Sequence, residues 1–252
     1  MSTVTGLLTA NAARWKAAKL TRASEFGPVA KRLVAAKARY QAVAAKTGVP
    51  WFVIAVIHQR ESSQNFSRSL AQGDPWNQVS THVPKGRGPF SSWEAAAIDA
   101  LVNCAPYASK WKDWSPGGTM TLLEQYNGLG YASKGLPSPY VWSGTDQYVK
   151  GKYIADGVFS ATTVDKQLGC AGLIMAMTAL DPSISFSGNV PVLTDAPVPQ
   201  SKPPVTKSEK AIVASSAAAA GAATAQYGIW IGVGVAALLI VSAFLYFKFV
   251  RK

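Results

Sequence analysis

The sequence predicts a mainly α domain with a small β element, an α+β architecture, followed by a C-terminal transmembrane helix. Three observations lead there. Ahead of residue 180, apolar residues recur at helical spacing in several stretches that Ser opens or Gly and Pro close. Residues 62–92 instead carry Gly73, Pro75, Pro84, Gly86, Gly88 and Pro89, which break any helical period and leave room for short strands or loops. Residues 228–247 are 20 residues without a charge, enough for about 30 Å of helix, the thickness of a bilayer core.

Taken in order, residues 1–27 mix Thr, Ala, Lys and Arg and are expected to be a basic N-terminal extension with a short helix at the domain edge. Over 28–46, Val29, Leu33, Val34, Tyr40 and Val43 alternate with Lys31, Arg32, Lys37, Arg39 and Lys46, and Gly48 stops the run. This pattern predicts one amphipathic basic helix, its charged face either solvated or turned to a polymer or a membrane. Pro50 then opens a run of apolar residues from Trp51 to Ile57 that predicts a helix buried on most sides, ending near Glu61.

Ser91 and Glu94 are spaced as a capping box before a helix over 93–102. Ser115 caps the next helix and Pro116 takes its first turn, with Leu122, Leu123 and Tyr126 leading to Gly128 and Gly130. Residues 131–159 look loop-like yet carry Tyr131, Tyr140, Trp142, Tyr148, Tyr153 and Phe159, rings that either fill a satellite core or offer stacking faces to a ligand. A last long helix is expected over 161–180, with Val164, Leu168, Ala171, Leu173, Ile174 and Met177 toward the core. No internal repeat is present.

The lead-out and the charge complete the organisation. Residues 185–210 are rich in Pro, Ser, Val and Lys and 211–227 in Ala, a linker into the apolar run. Trp230 and Tyr246 stand where interfacial anchors belong, and Lys248, Arg251 and Lys252 make 248–252 a basic tail. The first 25 residues lack the continuous apolar stretch of a cleaved secretory signal, so orientation and export route stay open. Net charge is +12, and residues 1–60 hold ten Lys and Arg against the single acid Glu25. Such a surface suits nucleic acid, lipid headgroups or an acidic wall polymer. Nucleic acid is disfavoured because the aromatic residues lie elsewhere in the chain. Cys104 and Cys170 sit among apolar neighbours and are expected as buried thiols rather than a bridge.

No phosphate loop, zinc spacing or nucleophile elbow occurs, and no cofactor or metal is expected. Acids remain. A carboxyl at the mouth of an apolar helix is poorly solvated, which raises its pKa toward that of a general acid, and this makes Glu61 the first candidate. The alternative is a helix-terminal glutamate paired with Arg60 or His58. Glycoside hydrolysis often uses a second carboxylate, and Asp74 in Gly73-Asp74-Pro75 is the candidate, with a plain turn role as its alternative.

A series of motifs resembles lysozyme-like peptidoglycan hydrolases of bacteria and phages, similar to goose-type lysozymes and lytic transglycosylases. Its members are Glu61-Ser62-Ser63, Phe66, Leu70, Gly73-Asp74-Pro75, the 93–101 helix, Leu123 through Gly128, Gly130-Tyr131, Ser138 through Trp142, and Gly151 through Gly157. The order of these motifs over residues 45–180 is more specific than any one of them.

The resemblance implies a lysozyme-like fold at 28–184 that cuts the β-1,4 bond between N-acetylmuramic acid and N-acetylglucosamine. Glu61 matches the family's acid, and Asp74 matches a goose-type aspartate by order alone. Tyr126 and Asn127 match a segment lining the glycan groove, and Tyr140 falls in another matched motif as a substrate-binding residue. Asn127 also suits an ordinary helix C-cap, and Glu124 a structural salt bridge.

The expected partners are peptidoglycan and, through the C-terminal helix, a lipid bilayer. The protein is expected in the cell envelope as a single-pass membrane protein, its domain toward the wall, or in a phage virion membrane. It would act in phage lysis or entry or in wall remodelling. The competing reading is a non-catalytic peptidoglycan-binding or virion membrane structural protein with the same fold.

Overall fold

The computed structural model describes residues 4–71, 73–82, 84–155 and 157–187. Among them are eight α-helices and one antiparallel two-stranded sheet, so the chain is mainly α with a small β element. The helices are α1 (Val4–Ala17), α2 (Ala23–Ala35), α3 (Lys37–Thr47), α4 (Trp51–Ser62), α5 (Trp93–Asn103), α6 (Pro116–Asn127), α7 (Pro139–Trp142) and α8 (Cys170–Leu180). Strands β1 (Lys152–Ala155) and β2 (Val158–Ser160) form a hairpin.

Helix α4 runs through the core. Every residue from Trp51 to His58 is buried, which a helix tolerates only when apolar side chains surround its whole circumference. Helices α2, α3, α6 and α8 pack on it. The chain leaves α4 at Ser63, whose left-handed backbone (φ 55°) lets the next amide, that of Gln64, turn back to the His58 carbonyl at 3.2 Å.

Of two stretches expected as single helices, one is divided and one is shortened. Residues 28–46 belong to α2 and α3, separated at Ala36, and α2 starts ahead of Pro28. The break has a packing cause: α2 lies on α8 while α3 lies on α4 and α5, and a straight helix cannot follow both directions. Of residues 161–180 only Cys170–Leu180 is helical. The earlier part stays out of the helix, since the Gly151 amide bonds the Thr163 carbonyl at 2.8 Å and the Ser143 hydroxyl bonds the Asp165 carbonyl at 2.8 Å. Val164, expected in the core, is exposed, and Asp165 is buried.

The expected domain limits also move. Helix α1 packs along α6 so closely that a Cβ on Gly117 would lie 2.8 Å from the Leu8 carbonyl. Asn11 is fully buried between them, its amide donating to Thr121 Oγ1 at 3.2 Å and Glu124 Oε2 at 3.3 Å. Glu124 is thus held by an amide rather than a salt bridge, and burial raises its pKa. Residues 4–27 are therefore part of the domain and not an extension. At the other end Phe186 meets Trp15 and Phe52 edge-on at 5.0 and 5.6 Å, so the domain continues to 187, inside the expected linker.

Caps and loops show smaller differences. Ser115 caps α6 as expected, accepting from the Gly118 amide at 3.1 Å. Ser92, not Ser91, caps α5, and Glu94 is drawn to Arg39 at 2.7 Å. The described residues of 62–92 contain no strand, and the β element lies at 152–160 instead. Tyr131, Tyr153 and Phe159 pack on one another as a satellite core, whereas Tyr140 and Trp142 join the main one. Cys104 and Cys170 are free and buried. No single described helix is long and apolar enough to cross a membrane, and the expected span at 228–247 lies outside the described residues, as do the linker beyond 187 and the basic tail.

Asn11→Ala removes the polar tie between α1 and α6 and leaves the Glu124 carboxyl buried without it. Chemical unfolding of the intact chain is expected to show a loss of about 1–3 kcal/mol. Unchanged stability would place α1 outside the cooperative unit.

Candidate active site

Adjacent residues on an α-helix point about 100° apart, so the burial of α4 decides the fates of Arg60 and Glu61 separately. Arg60 turns inward and is buried; Glu61, in the last turn, keeps part of its surface exposed. Arg60 Nη2 donates to Asp165 Oδ2 at 3.0 Å and Nη1 to the Leu168 carbonyl at 3.3 Å. His58 is buried with Nδ1 3.0 Å from the Tyr40 hydroxyl, and burial lowers its pKa to about 4, so it is neutral at pH 7. Neither forms the ion pair with Glu61 that the alternative reading required.

The partner of Glu61 is a tyrosine. The Tyr140 hydroxyl donates to Glu61 Oε1 at 2.8 Å from helix α7, where Pro139 starts the turn and Tyr140 itself is almost wholly buried. Burial raises the Glu61 pKa to about 7, while the Tyr140 hydrogen bond and the nearby Arg60 charge act in the opposite direction. Tyr126, near the end of α6, donates to the Leu70 carbonyl at 3.0 Å. Burial, with the Glu61 charge adding to it, holds both tyrosines well above their ordinary pKa, so both remain donors. Asn127 follows as the last residue of α6 and is half-buried, with Gly128 as the C-cap. The structure thus brings Tyr140 against Glu61 and Tyr126 near enough to feel its charge, while Asn127 is placed only as the next residue along α6.

Asp74 is engaged elsewhere. Its Oδ2 accepts from the Thr81 and His82 amides at 2.8 and 2.9 Å, and its Oδ1 lies 2.6 Å from His82 Nδ1. Burial alone would raise its pKa, but these donors outweigh it and the net shift is downward. The carboxylate clamps the 74–82 turn. That turn abuts the end of α4, since Gly73 (φ +69°) lies so near that a Cβ there would touch the Glu61 carbonyl at 3.4 Å.

No family model, curated protein or solved structure matches the chain. The site's chemistry follows from its own geometry: a partly exposed carboxyl that holds its proton to near neutrality, steadied by one tyrosine hydroxyl. Among the described residues no group of three or more His, Cys, Asp or Glu is arranged to hold a metal ion.

Sequence reasoning named Arg60 only as an ion-pair partner of Glu61, and missed both its pairing with Asp165 and the part played by His82. The Arg60–Asp165 pair spans 105 residues of chain and belongs to no motif, so no local signal marks it. His82 could have been noticed as the other histidine beside His58, both falling within the region of the first motifs.

Asp74 has a depressed pKa in the folded state, so its clamp contributes stability above its ordinary value of 3.8 and loses it as pH falls through the lower folded value. Asp74→Asn is expected to speed hydrogen exchange at the Thr81 and His82 amides at pH 7, in line with about 1.5–3 kcal/mol for charged hydrogen bonds. Unchanged protection there would remove Asp74 as the anchor of the turn.

Proposed function

We propose that the protein is a peptidoglycan-cleaving enzyme, a lysozyme or lytic transglycosylase, in which Glu61 is the general acid that cleaves the β-1,4 bond between N-acetylmuramic acid and N-acetylglucosamine. The observation that carries this reading is the carboxyl itself, raised by burial to about 7 and bonded by Tyr140 at 2.8 Å. An acid with a pKa near the working pH is both protonated often enough and strong enough to donate. The ordered motifs that resemble lysozyme-like enzymes support the same substrate.

In this reading Glu61 gives its proton to the glycosidic oxygen as the C1–O bond breaks, so the N-acetylglucosamine leaves as an alcohol and positive charge develops at C1 of the muramic residue. The Glu61 carboxylate then takes the proton of the group that attacks C1. Asp74, with its oxygens engaged by three donors, is not free to activate water. A site with one free acid favours attack by the muramoyl 6-hydroxyl, which closes a 1,6-anhydro ring and returns the proton to Glu61. Tyr126 and Asn127 line the sugar site, the ring as a packing face and the amide as a partner for an N-acetyl group. The apolar run at 228–247 tethers the domain to a bilayer next to the wall, where the basic surface favours an anionic polymer.

Digestion of purified peptidoglycan followed by end-group analysis tests the proposal. Release of 1,6-anhydro muropeptides is expected, with kcat/KM falling as pH rises through about 7 because the acid form of Glu61 is lost. Reducing muramic ends instead of anhydro ends would replace the internal attack by water. Intact wall would replace the enzyme reading by a binding or structural protein, and equal release by Glu61→Gln would remove this glutamate from the mechanism.

A further inference from the structure

A buried ion cluster lies behind the site and takes no direct part in the proton transfer. Asp165 is 1% exposed, its Oδ2 facing Arg60 Nη2 at 3.0 Å and its Oδ1 facing Lys152 Nζ at 2.8 Å. Its main chain is fixed as well, the amide donating to the Tyr148 hydroxyl at 3.0 Å and the carbonyl accepting from Ser143 at 2.8 Å. The Arg60 guanidinium then lies 4.8 Å from the centre of the Tyr140 ring, whose hydroxyl reaches Glu61. Lys152, Asp165, Arg60, Tyr140 and Glu61 form one row of contacts from the β-hairpin to the acid.

Buried ion pairs are weak sources of stability, because desolvation offsets most of their attraction. We infer that the Lys152–Asp165–Arg60 cluster is the positioning element of the Glu61 site, holding Tyr140 against the carboxyl and setting how much positive charge the carboxyl feels. The inference rests on Glu61 being the acid of the proposed function.

The groups that act on Glu61 or feel its charge are Arg60 from α4, Tyr126 from α6, Tyr140 from α7 and Cys170 from α8. Burial keeps both tyrosines protonated and pushes the Cys170 thiol up to about 12, so Arg60 is the charged member of this set at neutral pH. Asp165 partly cancels that charge, and Lys152 partly cancels Asp165. Removing the two outer members therefore acts on Glu61 with opposite signs. Asp165→Asn leaves Arg60 less compensated and favours the Glu61 carboxylate. Lys152→Met leaves Asp165 more negative and favours the protonated acid.

The test uses the full chain with carbon-13-labelled glutamate, following the carboxyl resonance that Glu61→Gln removes, alongside the pH profile of glycan release. The Glu61 midpoint is expected to fall in Asp165→Asn and to rise in Lys152→Met, each by about half a pH unit. Lys152→Arg restores the parent midpoint, and the alkaline limb of activity moves in step. A structural role alone changes stability without opposed shifts. The Lys152 side chain is 29% exposed, so its replacement is compatible with folding even where Asp165→Asn is not, and an unmoved midpoint in Lys152→Met overturns the inference. Shifts of the same sign in both variants overturn it as well. The titration is read on the protein alone, so opposed shifts support the inference even where no wall is digested, the result that sinks the proposed function.

Discussion

Everything at the site depends on the desolvation of one carboxyl. Helix α4 is buried around its circumference, and its last turn emerges just far enough for Glu61 to meet solvent while protein still surrounds much of its side chain. A rise from an ordinary 4.5 to about 7 corresponds to roughly 3 kcal/mol of penalty on the charged form. A penalty of that size persists only where no cation is allowed to pair with the acid. The arginine next to it in sequence is the obvious candidate, and the fold turns that arginine inward to Asp165.

The inward turn of Arg60 ties the acid to distant parts of the chain. Asp165 reaches its place because residues 161–169 stay out of the helix, where Gly151 and Ser143 bond them. Breaking a buried pair by removing one partner costs about 3–5 kcal/mol. The pairing of Arg60 therefore constrains the hairpin, the stretch before α8 and helix α7 together. Asp74 does comparable work on the other side, organising the 74–82 turn against the end of α4 with three donors on one carboxylate.

Features set by local pattern were legible in the sequence. The apolar run after Pro50 identified α4 and its burial, Ser115-Pro116 identified the start of α6, and the acid at the end of an apolar helix identified Glu61. Features set by distant contacts were not. The break at Ala36 answers to which helices α2 and α3 pack on, and Asn11 shows its burial only once α6 lies beside it. For the site, Tyr126, Asn127 and Tyr140 were singled out as sugar-binding residues, yet the hydrogen bond from Tyr140 to Glu61 joins positions 79 apart and has no signature in either segment. Asp74 was recognised as a notable acid with a turn role as its alternative, and its bonding is that of a turn.

The central claim is that this carboxyl keeps its proton to near neutrality without a paired cation. Direct titration of the Glu61 carboxyl in the native full-length protein, by its carbon-13 shift, addresses it most plainly. A midpoint near 7 agrees with the account. A midpoint near the ordinary value of 4.5 would contradict it, since the carboxyl would then be solvated or ion-paired and ionised at the pH where it is required to donate.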